Sequence, residues 1–224
     1  VFRVFVTGTD TGVGKTEAAA ALLSLLADRG LRPAPFKPYE SGMPSLRAPQ
    51  DAIALQAAAR CADDLFDISI HRFRAPVAPG VAALRLGRKP SFKKTLAAFE
   101  RFSGRALVAE GAGGLRVPID ERRDVIDLVE ALRLPVLLVA RAGLGTLNHT
   151  ALSLDALAAR RIPVIAVLLS RSTPSRDASE RDNATQLARR HGVRVLGPVR
   201  YEPDAKRRRA AFRAALSPLF TNRR

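Results

Sequence analysis

At 224 residues, 47% of them apolar, the chain suits one domain with a buried core. No apolar run approaches the length of about 18 residues that a spanning helix needs, and the one cysteine, Cys61, excludes an intrachain disulfide framework or a cysteine metal cage. The net charge of +16 suggests nucleic acid, but the basic residues are spread along the chain, aromatics are only 5% and Trp is absent; a surface that attracts anionic small molecules is expected, and a nucleic-acid partner is not.

The first apolar run, residues 2–6, reads as a strand. It is too short for a signal peptide and leads straight into a glycine loop, so a cytoplasmic protein without membrane association is expected. Residues 15–29 carry helical spacing, and Gly30 stands where a helix C-cap is expected. Runs at 32–36, 106–109, 135–140, 163–169 and 193–196 are rich in Val, Leu and Ile with little polar alternation. Parallel strands covered on both faces read this way. Helical patterns at 51–60, 125–132, 147–160, 178–191 and 204–216 alternate with them, and Gly192 closes one. Residues 76–102 are less regular and read as a connecting region. The alternation predicts an α/β fold over residues 1–224, a doubly wound, mostly parallel sheet with helices on both faces.

Between the first strand and the first helix lies GTDTGVGKT, Gly8 to Thr16. A phosphate-binding loop usually has four residues between its first glycine and the Gly-Lys pair. Here five separate Gly8 from Gly14, and Thr9 holds the place of the first glycine. Successive backbone N–H groups through Gly12, Val13 and Gly14, with the helix N-terminus behind them, form an anion cradle. Lys15 can reach the β- and γ-phosphate oxygens, and the Thr16 hydroxyl can ligate Mg²⁺. Thr9, Asp10 and Thr11 add polar side chains to a loop that usually offers mainly backbone, which points to contact with a second substrate.

Mg²⁺ on a nucleotide wants oxygen ligands. Glu110 follows the run at 106–109 and precedes Gly111, Ala112, Gly113 and Gly114, at the carboxyl end of a strand. Asp51 opens the pattern DAIALQAAAR and reads either as a metal ligand or as an ordinary N-cap. Lys37, in FKPYESG, is a fixed positive charge at the active edge of the sheet or a solvated lysine. Ser41 before Gly42 reads as turn chemistry or a substrate hydrogen bond.

The segments GTDTGVGKT, KPYESG, DAIALQ, AEGAGGLRVPI and PVLLVARAGLGTLNHTALS, in this order, resemble dethiobiotin synthetase over roughly residues 1–153. The resemblance implies an ATP- and Mg²⁺-dependent reaction that joins CO₂ to 7,8-diaminopelargonic acid through a carbamate and a carbamic-phosphoric anhydride. It implies Lys37, Lys15 and Thr11 as catalytic residues, with Thr11, Lys37 and Ser41 on the substrate. Gly12, Val13, Gly14, Lys15, Thr16, Glu17, Gly111, Ala112 and Gly113 would line the nucleotide, and Thr16, Asp51 and Glu110 would hold the metal. Gly143, Leu144, Gly145 and Asn148 resemble the segment that receives the substrate carboxylate across a homodimer interface.

Three stretches depart from the family pattern. Tyr39-Glu40 stands where Val-Gln is common, Ser170-Arg171 where an asparagine reads the adenine edge, and Pro198-Val199-Arg200-Tyr201 follows Gly197 where a proline-aromatic pair is usual. Ser170, Arg171, Arg200, Tyr201 and Glu202 are the positions left for the base, so nucleotides other than ATP are open. Two alternatives share the loop. A cobyric-acid-type synthetase normally carries a glutaminase domain, for which the chain is too short. A DNA-partitioning-type ATPase wants a lysine early in the loop, where Thr9 and Asp10 stand.

Overall fold

The computed structural model describes residues 1–175 and 177–221. Runs of Val, Leu and Ala become strands and the segments of helical spacing become helices. In chain order they are β1 (Arg3–Gly8), α1 (Lys15–Ala27), β2 (Ala34–Phe36), β3 (Tyr39–Glu40), α2 (Gln50–Ala59), α3 (Leu65–Ile68), β4 (His71–Arg72), α4 (Pro79–Arg85) and α5 (Phe92–Glu100). Then follow β5 (Leu107–Gly114), α6 (Val125–Leu132), β6 (Val136–Arg141), α7 (Thr146–Ala159), β7 (Val164–Ser170), α8 (Glu180–His191), β8 (Val195–Val199) and α9 (Ala205–Leu216).

Six strands form one sheet in the order β2-β5-β1-β6-β7-β8, and every neighbouring pair is parallel. β3 and β4 pair separately. The chain leaves β1 to fill one side with β2 and β5, then fills the other with β6, β7 and β8. The strand order reverses beside β1, and ligands of such sheets sit outside the carboxyl ends at that reversal. The glycine loop starts there.

Successive side chains of a strand point to opposite faces. Along β1, Val4 and Val6 enter a layer with Leu22 and Leu26 of α1, Leu55 of α2 and Phe212 of α9. Phe5 enters the other layer, with Phe99 of α5, Val129 of α6 and Leu157 of α7. α1 is buried at nearly every position from Ala18 to Leu26, and its alanines let α2 and α9 approach closely. Burying one such large apolar side chain contributes about 1.5–3 kcal/mol. These two layers, rather than the few polar contacts above them, hold the sheet edge in place.

The doubly wound α/β fold is the one the alternation predicts, with differences in detail. α1 stops at Ala27, and Gly30, at φ 73°, closes it: its N–H donates to Ala27 O while that of Leu31 donates to Leu26 O. The strand expected at 106–109 runs on through Glu110 to Gly114, because β1 pairs with it as far as Gly8 against Gly114. The strand expected at 193–196 is shifted to β8, an edge strand that tolerates Pro198. The helix expected from 178 starts at Glu180. Residues 76–102 are not irregular: they hold α4, which starts on Pro79, and α5, capped by Ser91, whose hydroxyl accepts from the Lys94 N–H. Both helices are short and separated by Gly87 and Pro90, which breaks their periodicity in the sequence. Among the described residues no helix is long and apolar enough to cross a membrane.

Candidate active site

The loop after β1 is fixed by its glycines. Gly12 and Gly14 have φ of 74° and 98°, a region costly for any side chain. A Cβ on Gly14 would also lie 2.9 Å from the Phe212 ring. The Thr9 N–H donates to Val139 O of β6 at 2.9 Å, and the Asp10 carboxylate pairs with Arg141 at 3.0 Å. Lys15 is buried and donates to Asp10 O at 2.7 Å. Burial, then the neighbouring Lys37 ammonium, lowers its pKa to about 8.

Lys37 leaves the end of β2 and is only 4% exposed. Its Nζ donates to Glu110 Oε1 at 2.6 Å and to Gly111 O at 2.9 Å, and lies 3.3 Å from Asp51 Oδ2. The Thr16 hydroxyl donates to the same Glu110 oxygen at 2.9 Å. Burial alone would lower the Lys37 ammonium, but Glu110 and Asp51 outweigh it and hold it above its ordinary value. Burial pushes the Glu110 carboxyl up, and Lys37 draws it back. The pair is best described by Lys37, a charged ammonium kept charged by the acids around it.

These groups face a cavity of about 630 Å³, which Thr11, Gly12, Gly14, Glu17, Ser41, Ala112 and Gly113 also line. Glu110 Oε2 is buried with no hydrogen-bond partner. A free carboxylate oxygen beside the Thr16 hydroxyl, with Asp51 facing the same cavity, suits a hard divalent cation such as Mg²⁺. Among the described residues no three His, Cys, Asp or Glu side chains gather into a cage. A cation that accompanies a nucleotide needs only one or two carboxylates, with phosphates and water completing its shell.

The alternative that Asp51 caps its own helix does not hold. α2 begins at Gln50 and makes no side-chain cap of its own. Glu40 does that work: Oε1 accepts from the Asp51 N–H at 2.9 Å and Oε2 from the Ala52 N–H at 3.3 Å. Tyr39 stacks on His71 with ring centroids 4.9 Å apart, and its hydroxyl accepts from Thr95 Oγ1 at 3.2 Å. The Tyr39-Glu40 pair thus forms a cavity wall and a cap.

The other residues singled out in the sequence do not all reach this network. Val13 is buried beneath the loop, and Gly111 serves through its carbonyl. The Glu17 carboxylate is held by Arg208 Nε at 2.8 Å, while the same guanidinium donates to Glu202 O and Pro203 O. Ser170 and Arg171 line a second pocket of about 170 Å³ together with Gly143 and Leu144. Arg171 is paired with Glu180 at 2.5 Å. Arg200 and Tyr201 are exposed, and the Glu202 side chain accepts from the Asp204 N–H. Gly145, at φ 90°, starts α7; Leu144 is 77% exposed, and its N–H donates to Asp177 Oδ2 at 2.9 Å. Asn148 is exposed. These α7 residues do not reach the large cavity of their own chain.

Sequence reasoning missed one wall, formed by Pro76, Val77, Ala78, Pro79 and Val117. The paired prolines of PVAP are the signal that could have marked it as a stiff apolar loop.

A family described as an AAA domain matches residues 3–209. An ATP-dependent dethiobiotin synthetase from Anaeromyxobacter dehalogenans (strain 2CP-C) is 44% identical over 96% of this chain and 96% of its own length. One from Bacillus subtilis (strain 168) is 34% identical over 86% of this chain and 84% of its own. The crystal structure of cobyrinic acid a,c-diamide synthase from Mycobacterium smegmatis with bound ADP and magnesium is similar in fold. It aligns at TM-score 0.58 and 15% identity, covering 98% of this chain and 94% of that one. By the extent and identity of the synthetase matches, the chain belongs to the ATP-dependent dethiobiotin synthetase family.

Proposed function

We propose that the protein closes the ureido ring of dethiobiotin, using ATP, Mg²⁺, CO₂ and 7,8-diaminopelargonic acid, with residues 1–224 acting as one synthetase domain in the cytoplasm. The observation that carries this reading is Lys37, a buried ammonium bound to Glu110 and Gly111 O on a wall of the cavity that the phosphate loop opens onto.

In the reaction one amine of the substrate attacks CO₂ to give a carbamate. A carbamate oxygen attacks the γ-phosphorus and ADP leaves. The second amine attacks the carbonyl carbon of the mixed anhydride, and phosphate leaves as the ring closes. Each step moves negative charge across a small region. Oriented donors that are already in place stabilise such charge more than water does. Lys15 and the loop backbone hold the phosphates, and Lys37 meets the charge on the carbamate and on the group in transfer. Thr11 and Ser41, which line the same cavity, orient the carbamate. Thr16, Asp51 and Glu110 would hold Mg²⁺, whose positive charge would offset the negative charge of the phosphates.

The protein works as a homodimer in this reading. Gly143, Leu144, Gly145 and Asn148 at the start of α7 would take the carboxylate of substrate bound to the other subunit. Two features support it: a helix N-terminus favours a carboxylate, and Leu144, Leu147 and Leu152 are large apolar side chains left exposed in this segment. ATP is the expected nucleotide, with other nucleoside triphosphates open at the base positions.

The test is purified protein with MgATP, bicarbonate and the diamine, with dethiobiotin identified by mass. Absence of product beside DNA-stimulated ATP hydrolysis would replace this reading with a nucleotide switch. Light scattering should give twice the 24.2 kDa chain mass, and Leu152→Glu should shift it toward the single chain.

A further inference from the structure

We propose that Glu40 is a positioning residue: from β3 its carboxylate caps α2 and so aims Asp51 at Lys37. The proposal rests on the reading above that Asp51 belongs to the reaction site.

An α-helix leaves its first amides without intrahelical partners, and a side-chain acceptor near the N-terminus normally takes them. α2 has none of its own, because the residue before it is Pro49. A carboxylate from a different part of the fold fills the gap. Each Glu40 oxygen takes one of two consecutive amides, Asp51 N–H and Ala52 N–H. Two bonds to adjacent amides fix the position and the rotation of the first turn, where a single bond would leave it free to swivel. The Asp51 carboxylate is then free of capping and lies 3.3 Å from Lys37 Nζ.

Glu40 is itself held firmly. It is buried, its carbonyl accepts from the Phe73 N–H at 2.9 Å, and β3 pairs it with Arg72. A buried carboxylate is costly unless hydrogen-bonded. Here the two amides and the positive end of α2 offset part of that cost, although burial still holds the Glu40 carboxyl above its usual range. Glu40 also lines the large cavity, so the cap and the site share one wall. Glutamine cannot reproduce the arrangement: it has one acceptor oxygen, and its amide would turn a donor toward a donor.

The test uses the full chain and two readouts. Hydrogen exchange by NMR should find the Asp51 and Ala52 amides protected in the parent protein. At least one of them should exchange about tenfold faster or more in Glu40→Gln, and both in Glu40→Ala. Glu40→Gln and Asp51→Asn should each lower kcat about 10–100-fold, the usual cost of losing a partner that orients a ligand. The double variant should be no slower than Asp51→Asn alone, because both changes act through one carboxylate. Unprotected amides in the parent would overturn the cap. Losses that multiply in the double variant would overturn the positioning role, since a merely structural residue weakens the enzyme independently of Asp51. If the parent makes no dethiobiotin, the reading of the reaction fails instead. Glu40 is then judged by exchange together with ADP binding with and without Mg²⁺. There Glu40→Gln should reduce the gain from Mg²⁺ by about tenfold, as Asp51→Asn does, and an unchanged gain would overturn the proposal.

Discussion

The two ends of the candidate site are built differently. At the β2-β5 end, Lys37, Glu110, Thr16 and the Gly111 carbonyl form one network with Lys37 and Glu110 almost wholly buried. At the β7-β8 end, Arg171 is engaged by Glu180, Arg200 and Tyr201 are exposed, and Arg208 holds Glu17. Charged groups fixed in a dry wall act on a reacting group at close to full strength, whereas exposed ones are screened and pay entropy to be ordered. In the proposed reading the chemistry is set by the sheet, and the base is left to side chains at the surface, of which Arg171 is already engaged with Glu180.

The largest effect should come from the buried end. Lys37→Gln should lower dethiobiotin formation about 10²–10³-fold, the scale of removing one oriented donor from a developing anion. MgATP affinity, held by Lys15 and the loop, should change little. Lys37→Arg should also be poor, because a planar fork does not replace a compact point charge. Lys37→Gln leaves Glu110 buried without its cation, so that variant should also melt lower, and turnover is compared only at temperatures where each variant is folded. Turnover of Lys37→Gln within about threefold of the parent, a difference under 1 kcal/mol, would make both ends equally dispensable and remove the contrast.

A smaller loss is expected for Asp51, which is more open than Glu110, with a side chain 38% exposed. Asp51→Asn should slow turnover about 10–100-fold and raise the Mg²⁺ concentration needed for half-maximal rate. An unchanged Mg²⁺ dependence would take Asp51 out of the metal site and leave it only as a partner of Lys37.

At the exposed end, Arg171→Ala and Tyr201→Ala should each raise KM for ATP by less than about tenfold, or 1.4 kcal/mol, with kcat unchanged. GTP and CTP should serve within about the same factor. A hundredfold rise for either variant would mean that the base is read as firmly as the phosphates.

How much of this could be read in the sequence follows the range of the interactions. The phosphate loop is local: strand, turn, Gly-Lys-Thr and helix adjoin, so residues 8–16 announced themselves. The sheet was legible because two covered faces force continuous apolar runs. Asp51 was ambiguous because its competing role, capping α2, belongs to Glu40, which arrives from another strand. The Arg208 that engages Glu17 lies 191 residues away, beyond any local pattern. β3 and β4 are two residues each, too short to show a period, and residues 76–79 wall the cavity without carrying any polar group to mark them.

The smallest effect tests how the buried end is braced. Tyr39 forms part of the cavity wall and stacks on His71 of β4, whose Nε2 lies 3.3 Å from Ser91 O. Burial lowers the His71 imidazole below its ordinary 6.5; the Ser91 carbonyl opposes this and Lys94 adds to it. Above pH 6.5 the ring is neutral in both the folded and the unfolded chain, and the contribution to stability is fully present. As pH falls through 6.5 the unfolded chain takes up a proton that the fold resists, so stability is lost until the folded value is passed, and then levels off. Urea midpoints at about pH 7.5 and about pH 5.5 bracket the ordinary titration of histidine. The parent should lose stability between them, and His71→Asn, weaker throughout for want of the stacked ring, should lose less. Equal losses in the two proteins would show that His71 is as free to titrate as a surface histidine. The wall behind Lys37 would then be looser than its packing implies, and the contrast between the two ends of the site would narrow from the firm side.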